Sequence, residues 1–200
     1  MRFRGLVFSA LFAALFAVLS LVSIPIGPIP ITIENLVIML TGALLGPWYG
    51  ALTFLIVIGL DLLGLPLIRG NAGIGLLVGA TAGYIWSWPI LAWLTGYFVG
   101  KIRPRTRSEY WLLLIVLFIC GDLISYVPGV LWLRHVVPAV RPWGKAMMAG
   151  AIPFLPGDFA KALVASAIVL IVRRVYPQER IIRGQQFVSQ SLEQGAGRGD

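Results

Sequence analysis

The sequence predicts an all-α integral membrane domain of six transmembrane helices, and three observations lead there. Of its 200 residues, 58% are hydrophobic and only 12% are charged, whereas a soluble domain carries about 25% charged residues. Mean hydropathy is +0.89. The apolar residues fall in runs near the ~20 residues that cross a bilayer at ~1.5 Å per residue, with Lys and Arg gathered at the run ends. The net charge of +8 therefore reads as membrane topology. No basic stripe lies on a soluble face, which excludes a nucleic-acid partner.

Residues 1–176 read as one membrane domain, embedded in the lipid bilayer. The first span is Gly5–Ile24; Met1-Arg-Phe-Arg4 resembles a signal n-region, but the run after it is long and lacks a small-residue cleavage site. Pro25-Ile-Gly-Pro-Ile-Pro30 ends it, because proline cannot occupy a helix interior. The second span, Ile33–Leu45, is short, and Gly46-Pro47 connects it tightly to the third, Trp48–Leu63. A Gly-rich loop over residues 64–75 precedes the fourth span, Ala80–Gly100, and then the fifth, Tyr110–Leu133. A proline-containing loop with a short helix near Gly144–Gly150 leads to the sixth, Gly157–Val175. Residues 177–200 are polar and read as a disordered cytoplasmic tail.

Six spans put both termini on one side. That side holds Arg2, Arg4, Lys101, Arg103, Arg105, Arg107, Arg173, Arg174, Arg180 and Arg183, against Arg69, Arg134, Arg141 and Lys145 on the other. The positive-inside rule makes the termini cytoplasmic. The expected location is the cytoplasmic membrane, multi-pass, with a pocket filled from outside. Glu34, Asp61, Asp158, Lys161, Arg69 and Asn71 then all fall toward the outer end, with Asp122 near mid-depth in the fifth span.

Pro153-Phe-Leu-Pro-Gly-Asp-Phe-Ala-Lys161 is the most unusual stretch. A charge at the membrane centre costs about 2.5–3.5 kcal/mol on insertion scales, so intramembrane charges usually serve a function. Asp158 and Lys161 share a helix face at i, i+3. Asp158 lies in the first turn, where the helix dipole favours an anion. The pair suits a ligand with N–H donors and an anionic group; it equally suits a structural ion pair with Lys161 reaching toward the interface. Gly79-Ala-Thr-Ala-Gly-Tyr84, with Thr81, Gly83 and Tyr84, offers close backbone approach, a flat ring and hydroxyls, or alternatively close helix packing. Ala10, Ala13, Ala14 and Ala17 form a small-residue face for another helix of this chain or of another subunit. Most of the tryptophans read as interface-belt residues, with Trp132 and Tyr126 placed to cover a ligand. Lys161 and Arg69 are the candidate partners for Asp61 and Asp122. His135 reads as an exposed loop residue. One Cys and one His form no familiar metal cluster. No phosphate-binding loop or G-x-S-x-G elbow is present. An intramembrane acid/base enzyme would need a nucleophile or metal beside its carboxylates, and the sequence displays neither.

The motifs Ile24-Pro-Ile-Gly-Pro-Ile-Pro-Ile-Thr32, Leu44-Leu-Gly-Pro47 with Gly50-Ala51, Gly64-Leu-Pro66, Gly79–Tyr84 and Pro153–Lys161 occur in the order seen in the BioY family. The resemblance covers about residues 8–172. BioY proteins are the biotin-specific substrate-capture subunits (S components) of energy-coupling factor (ECF) transporters. The resemblance implies a six-helix S-component fold, no enzymatic activity and no cofactor, biotin being the transported ligand. It implies a transmembrane coupling subunit and two ATPase subunits as partners, with Ala10, Ala13, Ala14 and Ala17 as the docking surface; some members work without dedicated partners. It places Asp158, Lys161, Tyr84, Thr81, Gly83, Arg69 and Asn71 at the substrate site. The sequence departs from the family pattern at Glu34, where Gln is common, at Asp61, where a small residue is expected, and at Arg69 and Asn71 in a Gly/Ala-rich segment. Extra acids beside an anionic ligand repel it unless they are paired or protonated.

Overall fold

The computed structural model describes residues 3–25, 28–102 and 107–175. The predicted tail, and the basic residues Arg2, Arg103, Arg105, Arg180 and Arg183, lie outside them. Helix α1, Phe3–Ser20, buries Gly5, Ser9, Ala13, Phe16 and Ser20 along one stripe. Small and hydroxyl-bearing residues dominate that stripe because it sits close to its neighbour: the Ser9 hydroxyl donates to the Tyr49 carbonyl at 3.0 Å. Paired strands flank the Pro-rich break. Strands β1, Ser23–Ile24, and β2, Ile31–Thr32, pair antiparallel across it.

Helix α2 is Glu34–Leu62 and contains the second and third predicted spans. Gly46 interrupts it at φ 79°, a conformation that favours glycine, and Pro47 follows as a helix start. The chain folds back on itself there. A Cβ built on Gly50 would lie 3.1 Å from the Gly42 Cα, although eight residues along one straight helix span about 12 Å. The elbow rests on α4, Ala82–Lys101, where any side chain at Gly96 would collide with Gly46 and Pro47. The core between α1, the two arms of α2 and α4 holds Phe16, Phe54 and Trp88, with Phe16 and Trp88 ring centroids 5.0 Å apart.

Helix α3, Ile74–Val78, is a short turn in the Gly-rich loop between α2 and α4, the loop expected on the outer side. The fifth predicted span is not continuous. Helix α5, Arg107–Gly121, stops at Asp122 (φ −142°, ψ −66°); a 3-10 turn over Leu123–Ser125 follows, and helix α6 resumes as Tyr126–Val136. His135 belongs to the last turn of α6 rather than to a loop. Helix α7 is Trp143–Gly150, and helix α8, Leu155–Val175, is the sixth span. Long apolar side chains such as Leu11, Leu55, Ile115, Val164 and Ile171 face outward, as lipid-facing helices require. Four segments are long and apolar enough to cross a membrane by length and composition: Phe3–Ser20, Glu34–Leu62, Arg107–Val136 and Trp143–Arg174.

One basic residue ties the helix ends together. The Arg173 guanidinium donates to Val99 O and Ala43 O, each at 2.8 Å. Those carbonyls belong to the last turn of α4 and to the first arm of α2 just before the elbow, where a cation complements the helix dipole. Arg173→Ala therefore leaves these carbonyls without their charged donor. We expect it to destabilise the fold by about 1.5–3 kcal/mol, read as a lower unfolding temperature in detergent, whereas Arg174→Ala on the exposed side should leave that temperature close to wild type.

Candidate functional site

At the end of the helix bundle opposite Arg173, segments from across the chain close around a cavity of about 500 Å³, its open mouth included. Thr32 of β2 lines it with Glu34 and Asn35 of α2, joined by Arg69 of the outer loop. Thr81, Tyr84 and Trp88 of the α4 start form a second wall, Ser125 and Tyr126 a third, and Asp158 and Lys161 of α8 the floor.

The polar groups form two networks. In the first, Lys161 Nζ donates to Asp158 Oδ1 at 2.7 Å, and the Tyr126 hydroxyl donates to Asp158 Oδ2. Asp158 is 2% exposed, and these donors take the place of water around its carboxylate. Beside it, Asn35 donates its side-chain amide to Asp122 Oδ1. In the second network the Arg69 Nε lies 3.8 Å from Glu34 Oε1, its guanidinium donates to Thr81 Oγ1 at 3.1 Å, and Thr32 Oγ1 donates to Glu34 Oε2 at 3.1 Å. The first arm of α2 delivers Glu34 and Asn35 because residues at a helix start share one end of the bundle.

The outer loop is held over this site by its backbone. Arg69 adopts φ 55°, in the left-handed region that a non-glycine residue rarely occupies. Its N–H donates to the Ser20 hydroxyl at 3.0 Å, and that hydroxyl lies 2.9 Å from Leu67 O. The last residue of α1 thus fixes the loop that aims the guanidinium inward. Asp61 is fully buried beneath the same loop. Among the described residues neither Arg69 nor Lys161 forms an ion pair with it; its main-chain carbonyl accepts the Gly73 and Gly64 N–H groups.

The structure therefore brings Asp158, Lys161, Tyr84, Thr81 and Arg69 to one cavity. It does not bring Asn71 and Gly83 there. Asn71 is exposed and donates to Arg69 O at 3.1 Å, shaping the loop turn. Gly83 packs against the Pro128 carbonyl, leaving no room for a Cβ, so it permits α4 and α6 to touch. Tyr84 is oriented by donating its hydroxyl to Gly150 O at 2.6 Å and sits edge-on to Tyr126. Trp88, expected at the interface belt with most tryptophans, is 3% exposed and forms part of both the core and the cavity wall. Trp132 is not a cover for the cavity; its Nε1 donates to Gly79 O at 2.9 Å. Sequence reasoning missed Asn35, whose position one residue after Glu34 was the available signal, and Ser125, whose placement depends on the break at Asp122.

The four alanines of α1 do not line the cavity. Ala10 and Ala14 are exposed and Ala17 half-buried, while Ala13, 5% exposed, turns toward the core. Three of the four thus border an uncovered small-residue face, and Ala13 belongs to internal packing.

The sequence pattern of the BioY family matches residues 1–178. The chain is 37% identical over 195 residues to a biotin transporter BioY of Rhodobacter capsulatus, covering 90% of this chain and 99% of that protein. It is 32% identical to a biotin transporter BioY of Lactococcus lactis, covering 88% of this chain and 93% of that one. Its fold matches a crystal structure of the S-component for biotin from an ECF-type ABC transporter with a TM-score of 0.79 at 32% identity, over 90% of this chain and 95% of the other. With the family pattern spanning every described helix, this chain belongs to the BioY family.

Proposed function

We propose that this chain binds biotin and serves as the substrate-specific subunit for its uptake across a membrane. The carrying observation is the cavity itself: a buried carboxylate with two donors on it, two cations, and aromatic walls, all at one end of a membrane bundle. Biotin presents complementary groups. Its ureido ring has two N–H donors and a carbonyl, its thioether ring and chain are apolar, and its carboxylate is anionic. Asp158 supplies an acceptor for N–H groups, Lys161 and Arg69 supply cations, and Tyr84, Trp88 and Tyr126 supply ring faces. The curated relatives are named as transporters, which supports a transport role over the acid/base enzyme.

We place the cavity on the outer side of the cytoplasmic membrane. Arg4, Lys101, Arg107, Arg173 and Arg174 collect at helix ends away from the cavity, and the positive-inside rule assigns that side to the cytoplasm. A coupling membrane subunit and two ATPase subunits complete the proposed transporter. The α1 face around Ala10, Ala14 and Ala17 is the docking surface we assign to the coupling subunit, because small side chains let a helix approach closely. The alternative is autonomous secondary transport.

Three measurements test this. Calorimetry on the purified chain should show tight biotin binding, weakened at least about tenfold in Asp158→Asn and in Lys161→Ala, since each removes a charge-assisted hydrogen bond and strands its partner; unchanged affinity in both removes the pair from the site. Replacing Ala10, Ala14 and Ala17 by Leu should spare biotin binding and abolish uptake in cells, whereas parallel loss of both would mark the face as internal packing. Liposomes holding this chain alone should not accumulate biotin; uptake without ATPases would favour the autonomous transporter.

A further inference from the structure

The charges around the cavity do not balance. Among the described residues Glu34 faces Arg69 and Asp158 holds Lys161, and neither cation forms an ion pair with Asp122. Asp122 is fully buried, one layer behind the cavity wall. One of its oxygens accepts the Asn35 amide; the other, Oδ2, is buried and has no hydrogen-bond partner among the described residues. Its carboxyl group also lies within hydrogen-bonding reach of Asp158. Two ionised carboxylates have only acceptors to offer each other, and like charges in such contact cannot both persist away from water.

The surrounding groups decide which carboxyl holds the proton. From α8, Asp158 and Lys161 face Asp122; from α6, the Tyr126 hydroxyl; from the first arm of α2, Asn35 and, farther off, Glu34. The outer loop contributes Arg69, which is engaged by Glu34 and Thr81, and α4 contributes Tyr84, which is engaged by Gly150. Asp158 already receives the Lys161 ammonium and the Tyr126 hydroxyl. Asp122 receives one neutral amide. We propose that Asp122 is a buried proton-binding site behind the cavity, and that the protein takes up an anionic ligand with this proton in place. The proton converts the Asp122 carboxylate to a carboxylic acid, gives its free oxygen a donor for Asp158, and leaves two balanced ion pairs around the cavity. An ionised Asp122 would set a second unpaired negative charge next to the one the ligand brings.

Infrared spectroscopy of the full, ligand-free chain in lipid nanodiscs at neutral pH should show a carboxylic-acid C=O band whose Asp122 component is absent in Asp122→Asn. Asp61 is also a buried acid, so only the part lost in that variant counts. No acid band in the wild type, or an unchanged spectrum in Asp122→Asn, overturns the proposal. If Asp122→Asn does not accumulate, Asp122→Glu must shift the band, and an unshifted band overturns it equally. A second arm rests on the biotin reading. Wild-type biotin affinity should fall about tenfold per pH unit above the pH at which one proton is released, and Asp122→Asn should lack that fall. A fall that persists in the variant belongs to another group, such as Lys161, and overturns the coupling, as does a pH-independent wild type. Failure of the wild type to bind biotin would instead defeat the biotin reading, and the spectroscopic arm would still decide on the proton.

Discussion

Everything at the functional end of this protein depends on one electrostatic constraint: a charge taken out of water must meet a counter-charge or a donor. Asp158 satisfies it with Lys161 and Tyr126, and Glu34 satisfies it with Arg69 and Thr32. Tyr126 reaches Asp158, and Arg69 reaches Glu34, from elements distant in sequence, so the cavity exists only when α8, α6, the start of α2 and the outer loop are docked together. A buried pair is weak evidence for stability, since desolvation offsets much of the attraction. It is good evidence for a site, because the same groups can exchange partners with a ligand that brings its own charge and donors.

The bundle behind the site is built from the opposite chemistry. Close approach of small residues, not charge, seats the α2 elbow on α4 at Gly42, Gly50 and Gly96. Helices in lipid gain no hydrophobic drive from contacting each other, so packing of this kind has to hold them. Charged side chains make hydrogen bonds at both ends of this frame. One end holds the cavity; the other holds the Arg173 contact with the helix ends. Ser20 links frame to site, since its hydroxyl holds the backbone of the loop that carries Arg69.

Much of the frame was legible in the sequence because membrane helices announce themselves by length and hydropathy. The Gly46-Pro47 turn and the short helix before the sixth span were visible for the same reason: glycine and proline have few backbone options. The break at Asp122 was not visible. Its segment is as apolar as its neighbours, and nothing in Gly121-Asp122 distinguishes a helix that ends from one that continues. Trp88 misled for a related reason. A tryptophan near a span end is ordinarily an interface anchor, and only the packing of Phe16 and Phe54 against it turns it inward. Asn71 and Gly83 sit in motifs of the right kind, yet one shapes a turn and the other lets two helices touch.

By itself the sequence determined that this chain is a helical membrane protein, that its charges divide between a basic end and a mixed end, and that Asp158 and Lys161 share a helix face. Those conclusions follow from composition and helical periodicity, which are local properties. Tertiary structure alone decided which charges meet. Arg69 goes to Glu34 and Thr81, not to Asp61; Asn35 goes to Asp122; Tyr126 goes to Asp158. Such pairings join residues 12 to 87 positions apart. They depend on how an elbow, a broken helix and a strained loop place them in space, and no local pattern in a chain encodes that distance.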